Sequence, residues 1–543
     1  MPYNAQTGIY TSALPDAPLP PNLDTISIYD FLFGPVFKPV GPGAVQRNQR
    51  EDSVWLIDSV TGKTLTYEQA HQRTLDIAKG FKKRGLEEGN TVVIFSPNEV
   101  DYATGVWATF RLGGIVSCAN PSYTAGELAY QLSMVHKYHP VKLVLASPES
   151  LADTLEACKK GGLLESNVIL IREAYASSSD NIKNLARKFP TLDDIAREGR
   201  VGVPFVQFGT TGLPKAVEIP HRCLIANVLQ STVHWSKRPF TRYDAKTKKG
   251  DVIAGILPFF HIYGLVVVLH ISVYNNTPVC VIPKFGLESF LGSTQKYKIT
   301  SLYVVPPIMI LLAKNDTTKK FDLSSVRIYM AGAAPLTIEI FQLFSRKFPK
   351  VRAGQGYGAT ESCTIITKLD VAGGSPGHSA GLVFPSIAVK IVSPEGKNLP
   401  PGGVGELWSR SPSNAIGYLA NEKATKETWD EEGFLHTGDE CYIDDSGHMF
   451  VVDRIKELIK GFLLDHPLVN DCAVIGIPDD YTGEKPKAFV ALPPTEQVKL
   501  AKDPNLADEY IASIKKVVAD NKDQVQAFGR SGFLAFDPEN CEW

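Results

Sequence analysis

The chain has 543 residues, 44% hydrophobic and 21% charged, with 44 glycines, 37 prolines and a formal charge of −2. That balance excludes disordered, collagen-like and coiled-coil chains, and it leaves neither a basic footprint for nucleic acid nor a polybasic membrane patch. The length fits about three or four structural units, and the eight cysteines, none in a CxxC pair, read as reduced and mostly buried thiols.

The first segment, MPYNAQTGIYTSALPDAPLPPN, has no basic start and no apolar run of a secretory leader, and the final NCEW is not a peroxisomal SKL-type address. A cytoplasmic protein is the expectation. TVVIF (91–95) reads as a buried strand, and residues 99–112 follow with Val100, Ala103, Trp107 and Phe110 at helical spacing. VKLVLA (141–146) and VILI (168–171) are two further strands around a helix near 149–159. Strands at 252–257, 299–305 and 326–330 alternate with helices at 307–314 and 336–348. This alternation predicts α/β layers with largely parallel sheets.

The run LPFFHIYGLVVVLHISVY (257–274) is apolar enough to raise a membrane span. Pro258, His261, Gly264 and His270, without basic flanks, predict a buried core helix instead and no stable membrane insertion. Beyond about 385 the texture changes to short strands (387–392, 405–409, 449–452) between Pro/Gly-rich turns, a small β-rich subdomain. Near Asp453 a charged stretch, DRIKELIK, opens an α+β tail with strands at 472–478 and 487–492 and a helix over 505–521. The predicted organisation is a large N-terminal domain, 1–453, and a small, shortened C-terminal lobe, 454–543.

FVQFGTTGLPKAV (205–217) carries the most chemistry. A strand ends at Phe208 and opens into Gly209, Thr210, Thr211, Gly212, Leu213, Pro214 and Lys215. Its glycines let the backbone approach closely, successive N–H groups can form an anion-binding concavity, and two hydroxyls and a lysine complete a phosphate cradle. The spacing is not that of a Walker loop, and GQGYG (354–358) does not meet the GxGxxG dinucleotide pattern. Taken alone, the loop reads equally well as a surface turn, Glu361 as a solvated acid, Asp439 as a turn or cap residue, and His261 as a core histidine. Tyr263, Val266 and Val267 read as core positions.

GTTGLPK with His221 and Arg222 resembles the phosphate loop of the adenylate-forming superfamily, which includes acyl-CoA and 4-coumarate–CoA ligases. LPFFHIYGL (257–265), AGAAPL (331–336), GQGYGATES (354–362), GELW (405–408), GYL (417–419), GFLHTGD (433–439) and VDRIKELIK (452–460) follow in that family's order. The resemblance reaches about residue 500 and is nearest the 4-coumarate–CoA ligase-like branch. It implies a ligase that converts a carboxylic acid and ATP to an acyl-adenylate and then, with coenzyme A, to a thioester. The acid is expected to be aromatic or medium-chain, since the implied pocket is apolar.

The resemblance also implies roles for individual residues. Gly209, Thr210, Thr211, Gly212 and Lys215 would hold the β- and γ-phosphates, Thr360 would touch phosphate, and Glu361 would ligate Mg²⁺. Gly332, Ala333, Ala334, Gly356 and Tyr357 would flank adenine and the acid pocket. Asp439 would take the ribose hydroxyls with Arg454 nearby. His261 would gate between acid and thiol, Tyr263 would line the pocket, and Lys460 would join the catalytic set. The transition state concentrates negative charge, which fixed N–H groups, a lysine and a metal stabilise.

Three departures stand out. Phe208 occupies a place where the family usually has a hydroxyl residue. The chain passes from ELIK directly to GFLLDHP, omitting about a dozen residues of the segment that lines the thiol channel. It ends without the family's Ser-Gly-Lys loop, with only Arg530-Ser531-Gly532 as an echo. They leave two alternatives open: an enzyme that stops at the adenylate, and a catalytically impaired nucleotide- or acid-binding homologue.

Overall fold

A computed structural model describes residues 2–34, 52–175, 178–200, 217–236, 247, 249–334, 338–370, 376, 378–454, 463, 466–479, 483–503 and 506–520. The chain divides into two compact units. The first comprises Thr11–Ala388 and Arg410–Leu435, the second Pro2–Tyr10, Val389–Ser409 and His436–Trp543.

The first unit is α/β, as its alternating pattern predicts. TVVIF is buried at every position and forms the strand Thr91–Phe95, the signature of a strand covered on both faces. It pairs in parallel with Ile115–Ala119 and with Val141–Ala146, which in turn pairs with Val168–Leu170. Leu128, Leu132, Leu151 and Cys158 pack against this four-stranded sheet. One of its covering helices, Ala125–Tyr138, starts where a capping box closes: Thr124 accepts from the Glu127 N–H, and Glu127 accepts from the Thr124 N–H at 2.8 Å.

A nine-stranded sheet forms the larger layer. Val54–Asp58, Val279–Val281, Ile253–Gly255, Ser301–Val304, Ile328–Ala331 and Arg352–Tyr357 run parallel through its centre. Antiparallel strands finish both edges, Thr64–Thr66 on one side and Thr367–Lys368 with Leu382–Val383 on the other. Its core gathers Val252, Ala254, Cys280, Val304, Met309, Tyr329 and Phe344.

The apolar run from 257 is largely buried, with Pro258 and His261 exposed, but is not one regular helix. Residues 257–261 are irregular, Tyr263–His270 is π-helical, and Ile271–Tyr274 is α-helical. Among the described residues no helix is long and apolar enough to cross a membrane. His270 is wholly buried there; its Nδ1–H donates to the Leu265 carbonyl at 2.7 Å, and its Nε2 accepts from the Trp107 indole at 3.1 Å. Both ring nitrogens are therefore satisfied only in the neutral form.

The second unit holds a six-stranded sheet that includes Gly405–Arg410, Leu435–Ile443 and Met449–Arg454. It also holds an antiparallel hairpin, Asp471–Asp479 with Gly483–Ala491. Leu463, Val469, Cys472, Ala488 and Ile514 form a small core beside that hairpin.

Burial pushes His270 down to about 4, against about 6.5 for a free imidazole. The unfolded chain takes up that proton first. The contribution is therefore complete above about pH 6.5 and is lost as pH falls toward 4, on the order of 3 kcal/mol in all. Urea unfolding at pH 7.5 and 4.5 should show wild type losing more stability across this interval than His270→Gln.

Candidate functional site

In a parallel sheet the loops leaving each strand emerge on one side, and ligands of α/β proteins bind at that carboxyl edge. Three predicted segments leave strands there. Ile253–Gly255 leads to His261 and Tyr263, Ile328–Ala331 leads to Gly332, Ala333 and Ala334, and Arg352–Tyr357 leads to Thr360 and Glu361. The register Ala331↔Gln355 sets Gly332 beside Gly356.

Contacts between the loops draw them together. The buried Tyr263 hydroxyl donates to the Met330 carbonyl at 3.4 Å. Its ring lies against Gly332, where an added Cβ would come within 2.9 Å of Cε1. Tyr263 is thus both a core residue and a wall beside Gly332. His261 stays exposed, its Nδ1 accepting from the Tyr263 N–H. The Thr364 hydroxyl donates to the Ile262 carbonyl at 3.4 Å, joining the loop after Glu361 to the His261 segment.

The 358–364 loop is tight. An added Cβ at Gly358 would sit 1.4 Å from the Thr364 carbonyl oxygen. Cys363 and Thr364 have φ of 50° and 103°, and Ala333 has φ of 69°. Such backbone costs about 1–3 kcal/mol per residue and persists only where surrounding structure imposes it. The imposition comes partly from the helix His221–Trp235, buried almost all round. Its Asn227 amide donates to the Ile365 carbonyl at 3.2 Å, and His234 bonds the Leu369 carbonyl at 2.9 Å. Ser362 also accepts from the Ala359 N–H at 3.0 Å.

Glu361 Oε1 accepts the Tyr418 hydroxyl at 2.7 Å, and the Glu361 carbonyl accepts the Ala415 N–H at 2.8 Å. Burial, reinforced by the Glu361 charge, pushes the Tyr418 phenol well up and keeps it a donor. Tyr418 bridges Val217, and the Glu218 N–H donates to the Gly417 carbonyl at 2.9 Å. Val217 is two residues beyond Lys215. The chain leaving GTTGLPK is therefore tied through Tyr418 to Glu361.

The second unit carries Asp439, 2% exposed, on the strand Leu435–Ile443 rather than in a turn. It stands opposite Arg454 in the antiparallel register, next to Gly438 at φ 69°. The Asp439 N–H donates to the Thr437 hydroxyl at 3.2 Å, and Trp408 stacks on His436 at 3.7 Å. Phe208, Gly209, Thr210, Thr211, Gly212, Lys215 and Lys460 lie outside the described residues, as do the junction after Lys460 and the tail beyond 520.

Comparison with known proteins decides the family. The AMP-binding enzyme profile matches residues 44–419, and that of the AMP-binding enzyme C-terminal domain matches 459–527. The chain belongs to the AMP-binding enzymes. A probable 4-coumarate–CoA ligase 1 of Dictyostelium discoideum is 35% identical over 494 residues, covering 85% of this chain and 87% of the relative. A 4-coumarate–CoA ligase-like protein 1 of Arabidopsis thaliana is 33% identical over 537 residues, covering 94% and 92%. In fold, a long-chain-fatty-acid–CoA ligase from Archaeoglobus fulgidus aligns with TM-score 0.66 at 23% identity over 90% of this chain and 94% of that one. An anthranilate–CoA ligase solved with anthranoyl-AMP aligns with TM-score 0.66 at 18% identity, covering 94% and 93%.

Within this AMP-binding enzyme, two residues escape a reading of the sequence. Tyr418 lies inside the GYL motif, yet nothing in one sequence says that its hydroxyl meets Glu361. Lys368 is the only charge in the run TIITKL, and one charge among β-branched residues normally marks an exposed strand face. Here it is 1% exposed.

The tight loop also yields a contrast between neighbouring glycines. At Gly356 an added Cβ would meet nothing nearer than 3.4 Å. Gly356→Ala should change unfolding free energy by less than about 1 kcal/mol, whereas Gly358→Ala should cost more than about 3 kcal/mol or prevent folding. Thermal and urea unfolding of the two variants measure the difference.

Proposed function

We propose that this AMP-binding enzyme activates a carboxylic acid with ATP, forming an acyl-adenylate and releasing pyrophosphate. It then transfers the acyl group to the thiol of coenzyme A, releasing AMP. The observation that carries the reading is the bridge from Val217 through Tyr418 to Glu361. It links the chain leaving GTTGLPK to the loop after GQGYG on the same carboxyl edge as His261 and Gly332. The names of its relatives support coenzyme A as acceptor and an aromatic acid as substrate, with a medium-chain acid the other candidate.

In this reading Gly209, Thr210, Thr211, Gly212 and Lys215 hold the β- and γ-phosphates, and Thr360 adds a hydroxyl. Asp439 takes the ribose, with Arg454 opposite it. Gly332, Ala333, Ala334, Gly356 and Tyr357 leave flat space for adenine and the acid, Tyr263 walls the acid, and His261 stands between acid and thiol. Residues 1–453 serve as the adenylation domain and 454–543 as the lobe that carries Lys460, in the cytoplasm.

Magnesium typically takes one or two protein carboxylates and completes its shell with phosphates and water. The described residues contain no cluster of three or more His, Cys, Asp or Glu that could hold a metal alone. Glu361, oriented by Tyr418, fits a site that the substrate phosphates complete. There the ion would neutralise phosphate charge.

One feature favours a second reading. The direct passage from ELIK to GFLLDHP removes chain that would line the thiol channel, which suits an enzyme that stops at the adenylate. Pyrophosphate release across a panel of acids tests the first step, and mass spectrometry of a coenzyme A thioester tests the second. Thioester formation is expected. Acid-dependent AMP without thioester would select the shorter reaction, and no acid-dependent pyrophosphate would defeat both readings. Glu361→Gln should lower pyrophosphate release about 10²–10³-fold. Tyr418→Phe should lower it about tenfold and raise the magnesium concentration needed for half-maximal rate, because the carboxylate loses its orienting donor.

A further inference from the structure

Lys368 is the anomaly of the first unit. It lies on the strand Thr367–Lys368, paired with Gly356 on one side and with Leu382–Val383 on the other, and its ammonium nitrogen is buried with no hydrogen-bond partner among the described residues. Two rings flank it: Nζ is 4.8 Å from the centroid of Trp235 and 5.2 Å from that of Tyr303. Cation–π contact recovers about 0.5–2 kcal/mol, short of what an isolated buried ammonium costs. Burial accordingly pushes the group down to about 7. The stem runs beside the proposed acid pocket: its Cγ would lie 3.7 Å from a Cβ at Gly356, as would the Met330 sulfur. The Met330 carbonyl in turn accepts from Tyr263.

We propose that Lys368 is a specificity-determining residue that selects acids carrying a second carboxylate at the end distal to the one activated. This rests on the ligase reading for the location of the acid pocket. The chemistry that suits an unpartnered buried ammonium is an anion. A hydroxyl or an apolar tail leaves the charge uncompensated, whereas a carboxylate supplies it and accepts its N–H groups. Burial has already stripped water from the lysine in the free protein, so the entering anion bears its own desolvation and draws the amine to its charged form. Trp235 and Tyr303 hold the ammonium in place before the ligand arrives.

The test compares matched acids on wild type and on Lys368→Met, which keeps an unbranched chain one atom shorter and removes the charge. Octanoic is paired with octanedioic acid, and cinnamic with its 4-carboxy and 4-hydroxy derivatives. Binding is read by calorimetry without ATP, and turnover by pyrophosphate release. In at least one pair wild type should favour the diacid at least tenfold, and Lys368→Met should bring that ratio to about one or below. Wild type that is indifferent or favours the acid without the second carboxylate in every pair, or a preference unchanged in the variant, would each overturn the proposal. The wild-type comparison decides the matter if the variant does not fold. A Lys368-dependent binding preference without pyrophosphate release would defeat the ligase reading and leave this one standing. Turnover with no diacid preference would do the reverse.

Discussion

A parallel sheet sends every connection after a strand to the same edge, and the rest of the first unit's chemistry depends on that constraint. Ile253–Gly255, Ile328–Ala331 and Arg352–Tyr357 are far apart in sequence, yet their register leaves His261, Gly332 and Gly358 no choice but to emerge together. Small residues at the strand exits then decide how near the loops come. Gly332 admits the Tyr263 ring, and Gly358 admits the Thr364 carbonyl. The strained conformations of Ala333, Cys363 and Thr364 sit at these exits, where backbone shape matters more than propensity.

Rigid support for that strain comes from polar groups inside an otherwise apolar helix. His221–Trp235 begins six residues beyond Lys215 in sequence and carries Asn227, Gln230 and His234 on buried faces. Each reaches a carbonyl or hydroxyl of a neighbouring loop: Ile365, Ser411 and Leu369. A buried polar side chain with a matched partner adds direction to packing, since its bond is lost if the loop shifts by an ångström or two. The helix therefore supports the chain after Gly356 and the chain at Ser411 at once. Tyr418 closes the same circuit from the other side by joining Val217 to Glu361.

The regular α/β frame was legible in the sequence because buried parallel strands announce themselves as short β-branched runs. TVVIF and VKLVLA form strands with the very bounds that the pattern predicts. What periodicity could not show is local departure from regularity. The run 257–274 is apolar on every side, so nothing in its spacing distinguishes an α-helix from the π-helical turn that begins at Tyr263. Asp439, with its flanking glycine, also admits a turn reading from sequence; its strand arises from pairing with Met449–Arg454, a non-local event. Motif order pointed to Glu361, but its partner lies 57 residues away and can be found only in three dimensions.

Buried ionisable groups show the difference between what a fold tolerates and what it keeps. His270 is deep in the unit, and its two ring nitrogens meet one acceptor and one donor, so the neutral imidazole fits its surroundings at no electrostatic cost. Lys368 is as deeply buried, yet its nitrogen meets only the faces of two rings among the described residues. An apolar side chain of equal length would fill the same volume without the desolvation penalty. Packing therefore cannot account for a lysine at this place. A ligand that supplies the missing negative charge can, and Gly356, paired with Lys368 in the sheet register, is where such a ligand would come near.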